Sequence, residues 1–375
     1  MVMDMKKKIG ITVLLCSLLA GLVGCGNSDV MVLTPYGDAI IKDEGASSGT
    51  STAKATETVQ NTTTQEETTN KESTTDTSDK IYIGFAQVGS ESDWRMAQTA
   101  SMKETFKEGN GYKLDFVDCN NNQQTQLDAL ADFIQKKVDY IILDPIVETG
   151  YDEILQQAKD AGIPVIIVDR NISASEDLYT CWVGSNFEKE GEDAAQWLAD
   201  YLKEQGRESE EINIVTIQGT MGASAQIGRT EGFNSFLSTN KNWNMLDEQS
   251  GDFTEDGGYA VMTAFLNQYE DIDVVVCQND NEAYGAITAI QEKGLTYGPD
   301  GDIIIISFDA TNGGFQRMIA GEINVDVECN PLEGPLVSEI IQKLEAGGTV
   351  DKIQYVKEGV YPAETAAEII DSRAY

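Results

Sequence analysis

Polar side chains follow several short apolar runs of this chain, at the positions where buried strands would end. Asp169 and Arg170 come directly after the run Val165–Val168, and Asn279 and Asp309 follow two later runs of the same kind. Carboxylate, amide and guanidinium groups side by side can hydrogen-bond two neighbouring hydroxyl groups of one ligand. Since these residues contain no evident nucleophile–base pair, the chemistry they indicate is the binding of a hydroxyl-rich ligand.

A second dense group of polar residues lies in the loop after the first apolar run. Ser92 or Asp93 can cap a helix that runs from about Trp94 to Glu108. Trp94 and Arg95 then stand on the first turn of that helix, beside the strand ends. The flat face of Trp94 suits the C–H face of a sugar ring, although a tryptophan at this position is equally often part of the core.

Four further residues near strand ends need an interpretation. Phe253 can cover the opposite face of the same ring. Arg229 lies on a helix after a later run, where it is either a binding residue or a solvated surface arginine. Asp144 and Asp280 also follow apolar runs. Because an aspartate there is most often a helix N-cap, that is the role we expect for both.

The composition of the chain excludes several classes of function. The 375 residues include 26 basic and 63 acidic residues and no histidine, for a net charge of −37. Without histidine, Ser-His-Asp and Cys-His catalysis are excluded. The acidic balance argues against nucleic-acid binding, because phosphate contacts need clustered Lys and Arg. No calcium-loop or CxxC pattern occurs, so we expect no enzyme activity, no cofactor and no metal.

The elements that must position these residues alternate in a regular way from Lys80 onward. Apolar runs such as Val274–Cys277 and 303–306 are typical of strands buried on both faces of a parallel sheet. Between the runs, patterns such as residues 126–136 predict helices. Repeated strand–helix–strand units predict a doubly wound α/β fold, and their number favours two lobes over one sheet. Ligands bind beyond the carboxyl ends of such strands.

The N-terminal residues have the pattern of an export signal. Three lysines at 6–8 precede an apolar run at 9–22, which is too short to span a bilayer, since a spanning helix needs about 20 apolar residues. The tetrad at 22–25, Leu-Val-Gly-Cys, resembles the lipobox of bacterial lipoproteins. We therefore expect residues 1–24 to be a signal peptide and Cys25 to carry a lipid that anchors the chain at the extracytoplasmic face of the cell membrane.

The segment 25–79 and the remaining cysteines complete the outline. Residues 45–80 are dominated by Ser, Thr, Glu, Gln and Asn, which predicts a disordered tether with a reach of roughly 30 Å.

The other four cysteines are widely spaced, and buried free thiols are favoured over two disulfides. They are Cys119, Cys181, Cys277 and Cys329.

The chain from about residue 80 to its end resembles the ribose/galactose-type (Lac-repressor-like) family of periplasmic sugar-binding proteins, and within it the galactofuranose-binding subgroup of bacterial ABC importers. The segments that carry the resemblance are 84–95 (GFAQVGSESDWR), 144–150 (DPIVETG), 169–170 (DR), 218–224 (QGTMGAS), 250–254 (SGDFT), 279–280 (ND) and 307–309 (SFD). One departure is Ala310 after Asp309, where relatives usually have glycine, and it predicts a different turn there.

The resemblance implies an α/β fold of two Rossmann-like lobes with parallel sheets, joined by a three-segment hinge (the type I periplasmic binding protein fold). Lobe one is expected at 80–185 plus 331–354, and lobe two at 186–330 plus 355–375. It also implies a monomer that captures a monosaccharide between the lobes and delivers it to an ABC permease. The residues that it assigns to the ligand are Glu91, Trp94, Arg95, Asp169, Arg170, Arg229, Phe253, Asn279, Asp309 and Asn330.

Other functions remain open at this point. The same residues can bind a different sugar, or a furanosyl signal that the protein presents to a membrane receptor. A surface adhesin would expose an aromatic platform instead of a closing cleft. A glycoside hydrolase would need two acids flanking the scissile bond, whereas Arg170 beside Asp169 would keep that carboxylate ionised.

Overall fold

The structure is a computed structural model that describes residues 80–375. The predicted signal peptide, the lipidated Cys25 and the tether lie outside the described residues. Within 80–375, no helix is both long and apolar enough to cross a membrane.

Twelve strands and ten α-helices alternate along this part of the chain. The strands are β1 (Ile81–Gln87), β2 (Tyr112–Asp118), β3 (Tyr140–Leu143), β4 (Val165–Val168), β5 (Cys181–Gly184), β6 (Ile212–Gln218), β7 (Trp243–Ser250), β8 (Val274–Cys277), β9 (Ile304–Asp309), β10 (Val325–Glu328), β11 (Ile353–Tyr355) and β12 (Val360–Pro362). The helices are α1 (Asp93–Thr105), α2 (Gln123–Lys136), α3 (Asp152–Asp160), α4 (Phe187–Glu204), α5 (Ser224–Ser235), α6 (Glu255–Gln268), α7 (Asp280–Lys293), α8 (Asn312–Ile319), α9 (Gly334–Glu345) and α10 (Ala363–Ile369).

The strands form two six-stranded sheets, one in each lobe. The first has the order β11-β5-β4-β3-β1-β2 and is parallel throughout. The second has the order β12-β10-β9-β8-β6-β7, in which only β12 runs antiparallel to its neighbour. The chain passes between the sheets after β5, after β10 and after β11. The predicted α/β architecture of two lobes with parallel sheets and three crossing segments is therefore confirmed.

The central strands are apolar because helices cover both faces of each sheet. All four residues of β4 are buried, as are all four of β8. Continuous burial leaves no polar face, which explains why these runs do not alternate. The four cysteines of this part of the chain are buried and free, as expected.

The helix starts correct two predictions. Ser92 caps α1 as predicted, since its hydroxyl accepts from the backbone N–H of Arg95 (3.2 Å). However, Asp144 and Asp280 are not N-caps. Asp144 lies in the loop after β3 and its carboxylate pairs with Arg95, whereas α7 is capped by Asn279, one residue before Asp280. In both cases a buried polar partner elsewhere in the fold engages the carboxylate instead of a helix end.

Candidate functional site

A cavity lies between the lobes, at the carboxyl ends of the parallel strands. Nine of the ten ligand residues predicted from the sequence line it, all except Asn330. The lining residues are Glu91, Ser92, Trp94, Arg95, Asp169, Arg170, Ala225, Arg229, Phe253, Asn279, Asp309 and Cys329. The structure thus brings together residues that are up to 238 positions apart in the chain, from Glu91 to Cys329.

The lobe-one wall of the cavity is an ion-pair network centred on Arg95. Its Nη1 lies 2.5 Å from an oxygen of Asp144 and 2.7 Å from one of Asp169, and its Nε lies 2.9 Å from Glu91. The second guanidinium, Arg170, lies 3.5 Å from Glu91. The charges therefore compensate one another, which is what burial of so many ions requires.

The two guanidinium groups also fix the charge state of Glu91. Burial by itself raises the pKa of this carboxyl, but the charges of Arg95 and Arg170 bring its pKa below the ordinary value. Burial likewise lowers the pKa of Arg95, and the surrounding carboxylates of Asp144, Glu91 and Asp169 raise it well above the ordinary value. Glu91 and Arg95 therefore stay charged at neutral pH, whereas burial raises the pKa of Asp144 well above its ordinary value and favours its neutral form.

The lobe-two wall is centred on Arg229, which is buried and is not a surface arginine. Its Nε lies 2.7 Å from Glu190, and its Nη2 lies 3.5 Å from Asp309. Its guanidinium also lies over the ring of Phe308, 5.0 Å from the centroid. Burial raises the pKa of Asp309 well above the ordinary value despite this neighbour. This wall therefore combines one guanidinium with a carboxyl that takes up a proton easily.

Two aromatic rings in the cavity wall are fixed by neighbouring groups. The indole N–H of Trp94 donates to the carbonyl of Cys329 (2.6 Å), and the guanidinium of Arg95 lies 4.7 Å from the Trp94 ring. Phe253, on lobe two, has the guanidinium of Arg170 from lobe one 5.2 Å from its ring centroid. An apolar face beside charged hydrogen-bonding groups is the combination that a sugar ring needs.

The two lobes touch across the cavity in this structure, so the arrangement is closed. Further hydrogen bonds connect helix starts and loops of the two lobes across the cavity. They join the N–H of Asp93 to Asn281 Oδ1 (3.0 Å), the N–H of Asn171 to Ser224 Oγ (2.7 Å) and the N–H of Glu148 to the carbonyl of Gly222 (3.0 Å).

Asn330 is the one predicted ligand residue that lies away from the cavity. Its side-chain amide donates to the carbonyl of Lys357 (3.3 Å), and its oxygen accepts from the N–H of Leu332 (3.0 Å). Its neighbour Cys329 lines the cavity instead. The side chain of Asn330 therefore holds the crossing segments together.

The sequence did not identify three of the lining residues, Ser92, Ala225 and Cys329. Ser92 appeared only as a helix cap, a role that places it at the cavity rim. Ala225 and Cys329 are small and carry no pattern that distinguishes them from core residues. Their contribution is to leave room beside larger groups.

One cluster near the crossing segments has the composition of a metal site. Glu190, Cys329 and Glu358 each place one possible ligand atom within 4.8 Å of the others. However, Glu190 already accepts from Arg229 (2.7 Å), and Glu358 accepts from the backbone N–H of Asn330 (3.0 Å). One oxygen of each carboxylate is therefore engaged by the protein, and we assign no metal to this cluster.

Comparison with known proteins identifies the family of this chain. Residues 83–332 match the family described as periplasmic binding protein domain. The galactofuranose-binding protein YtfQ of Escherichia coli K12 is 36% identical over 297 residues, which cover 78% of this chain and 91% of the relative. The ribose import binding protein RbsB of Bacillus subtilis is 30% identical over 243 residues, 64% of this chain and 74% of the relative.

Solved structures show the same fold at similar identity. A Mycobacterium smegmatis protein in complex with β-D-fucofuranose is 40% identical with a TM-score of 0.75, covering 79% of this chain and 95% of that one. The binding component of an arabinose ABC transporter from Shewanella sp. ANA-3, bound to α- and β-L-arabinofuranose, is 37% identical with a TM-score of 0.73 over 78% of this chain and 95% of that one. The chain therefore belongs to the periplasmic binding protein family and has its two-lobed type I fold.

Proposed function

We propose that this protein binds one monosaccharide in its furanose form between the lobes and delivers it to the permease of an ABC importer. The observation that carries the proposal is the gathering of nine predicted ligand residues around one closed cavity. The charged groups and two aromatic rings that face this cavity come from both lobes, an arrangement that suits one small hydroxyl-rich ligand enclosed between them. The relatives named above that carry furanoses support the ring form.

Recognition requires no catalysis in this proposal. The guanidinium groups and carboxylates on both walls hydrogen-bond neighbouring hydroxyl groups of the sugar, and such charge-assisted bonds are about twice as strong as neutral ones. Asn279 adds an amide between them, and Trp94 and Phe253 cover apolar parts of the ring. Because the two walls belong to different lobes, a sugar that touches both stabilises the closed state over the open one, which is the condition for ligand-driven closure.

The lobe limits, the anchor and the oligomeric state complete the proposal. We assign 80–185 plus 331–354 to lobe one and 186–330 plus 355–375 to lobe two, in a protein that works as a monomer. A lipid on Cys25 and the tether to residue 79 would keep the binding protein near its permease and so raise its effective concentration. Cys25→Ser should move the exported protein from the membrane fraction to the soluble fraction. Retention in the membrane fraction would disprove the anchor.

The binding proposal is tested by calorimetric titration of residues 25–375 carrying Cys25→Ser. The panel contains arabinose, galactose, ribose, fructose and glucose, each of which supplies furanose and pyranose forms in solution, plus one oligosaccharide. We expect micromolar or tighter binding of one monosaccharide and none of the oligosaccharide. Asp169→Ala should weaken that binding roughly 10- to 150-fold, because a hydrogen bond to a charged group contributes about 1.5–3 kcal/mol. No binding across the panel, or an effect of Asp169→Ala below twofold, would contradict the proposal.

A further inference from the structure

Three residues that line the cavity have left-handed backbone although none is glycine. The φ angles are 54° at Asp169, 61° at Phe253 and 103° at Asp309. Each of the last two has a second such residue beside it, Asp252 at 57° and Ala310 at 55°. Non-glycine residues in such conformations cost on the order of 1–3 kcal/mol each and persist only where the surroundings impose them.

A buried carboxyl group accepts a backbone N–H at each of these three places. Glu333 Oε1 lies 3.0 Å from the N of Asp169, whose N–H also donates to the carbonyl of Val183 (2.9 Å). Glu282 Oε1 lies 3.0 Å from the N of Phe253. The third contact is at the turn after β9, where Asp326 Oδ1 accepts from Ala310 (2.9 Å). None of the three acids lines the cavity, so each acts one layer behind it.

The contact at Phe253 is the most complete of the three. Its N–H is held by Glu282, and its carbonyl accepts from the side-chain amide of Asn279 (3.0 Å). Asn279 in turn caps the helix that carries Glu282 and accepts from the N–H of that residue (2.8 Å). Both the backbone N–H and the carbonyl of Phe253 are therefore held by α7 and its N-cap residue. This fixes the position of the ring in the cavity wall.

The other two contacts are reinforced in the same manner. Asp280 Oδ2 accepts from the backbone N–H of Thr311 (2.9 Å), directly after Ala310. The second oxygen of Glu333 accepts from the side chain of Gln98 (2.7 Å). A buried acid that is itself held in place can impose an unfavourable conformation on its partner.

We propose that Glu282, Asp326 and Glu333 are positioning residues of the sugar site: without touching the sugar, they impose the left-handed backbone that aims Phe253, Asp309 and Asp169 into the cavity. The expected effect on sugar affinity rests on the proposed function, whereas the expected effect on the backbone conformation does not. The inference also accounts for Ala310. A carboxyl that holds the turn removes the need for glycine at this position.

The first test compares substitutions of Glu282 in sugar titrations. Glu282→Leu removes the acceptor and should weaken binding at least tenfold, whereas Glu282→Gln keeps an acceptor oxygen and should stay within about threefold of the wild type. Asp252→Gly lowers the cost of the left-handed turn. The double variant Glu282→Leu/Asp252→Gly should bind the sugar at least threefold more tightly than Glu282→Leu. The single variant Asp252→Gly should differ from the wild type in affinity by less than twofold.

A matched control separates positioning from general destabilisation. Ile290→Ala creates a cavity in the same helix, at a buried residue eight positions after Glu282 that does not line the ligand cavity. It should lower stability and leave affinity within twofold. If a folded Glu282→Leu variant binds like the wild type, or if Asp252→Gly restores nothing, the inference is wrong.

A second test needs neither sugar nor a folded Leu variant. Residue-resolved hydrogen exchange on the sugar-free wild type should show the amides of Phe253 and Ala310 protected at least a hundredfold relative to an unstructured peptide. Unprotected amides at these positions would overturn the inference even if sugar binds tightly. Protected amides in a protein that binds no sugar would leave the inference standing and remove the proposed function.

Discussion

The two walls of the cavity are built on different physical principles. Among the described residues, the lobe-one wall contains five ion pairs made by Arg95 and Arg170, and the lobe-two wall contains two, both made by Arg229. Lobe two presents two left-handed turns held by buried acids, whereas lobe one presents one, at Asp169. Side-chain charge thus contributes more to the first wall, and imposed backbone conformation contributes more to the second.

The difference predicts what each wall tolerates. A network of compensating charges fails when one member is removed, because the partners remain buried without compensation. A turn held by one hydrogen bond changes its conformation when the acceptor is removed, or when a larger side chain occupies the space beside the turn. The predictions below use this contrast, from the largest expected effect to the smallest.

The largest effect should come from Arg95→Leu. It leaves Asp144, Asp169 and Glu91 buried without their shared guanidinium, so the free energy of unfolding should fall by about 3–5 kcal/mol. Arg229→Leu is the matched change in lobe two and should cost less, because Arg229 pairs with two carboxylates, Glu190 and Asp309, whereas Arg95 pairs with three. Urea denaturation of both variants measures this. An equal or larger cost for Arg229→Leu would contradict the contrast.

A methyl group at Gly219 tests the backbone-shaped wall. A Cβ there would lie 1.9 Å from Cζ of Phe253, so Gly219→Ala must push the ring out of its position. We expect sugar affinity to fall about tenfold, which corresponds to ~1.4 kcal/mol. Gly109→Ala is the control, because nothing lies within 4 Å of a Cβ at that position. Wild-type affinity in Gly219→Ala would show that the ring position does not matter.

The pH dependence of stability should distinguish Glu282, behind the lobe-two wall, from Glu91 in the lobe-one wall. Burial raises the pKa of Glu282 to about 8, above its ordinary value of 4.5. The folded state therefore holds a proton that the unfolded state has lost between these values, and the free energy of unfolding falls as pH rises from about 5 to 8. One such group contributes up to about 1.4 kcal/mol per pH unit.

Glu282→Gln should make the free energy of unfolding fall less steeply with pH, by the contribution of one carboxyl group, in denaturation curves taken from pH 5 to 9. Glu91 behaves oppositely. Because Arg95 and Arg170 bring its pKa below the ordinary value, its contribution is lost only as the pH falls below about 4.5. Glu91→Gln should therefore leave the slope between pH 5 and 8 unchanged. An unaltered slope in Glu282→Gln would contradict the assignment.

The smallest effect should come from Asn330→Ala. The sequence assigned this residue to the ligand, but its side chain binds the backbone at Lys357 and Leu332. We expect sugar affinity within about twofold of the wild type by calorimetry. A loss of tenfold or more would restore the original assignment.

Local patterns were sufficient to predict much of this site. The buried strands, the polar residues at their ends and the Ser92 cap are all properties of a few neighbouring residues. The partner of Asp144 is not, because Arg95 lies 49 residues away on another element, and only packing brings them together. The left-handed turns at Phe253 and Ala310 were equally hidden, since the acids that impose them come from distant segments.

The most direct test of the central claim is the ring form of the bound sugar. The monosaccharide that titrates most tightly is supplied with ¹³C at its anomeric carbon, and the spectrum of the complex is recorded by NMR. We expect a single bound signal at the furanose position, although the free sugar is mostly pyranose. A bound pyranose signal would contradict the proposal that this cavity selects a five-membered ring.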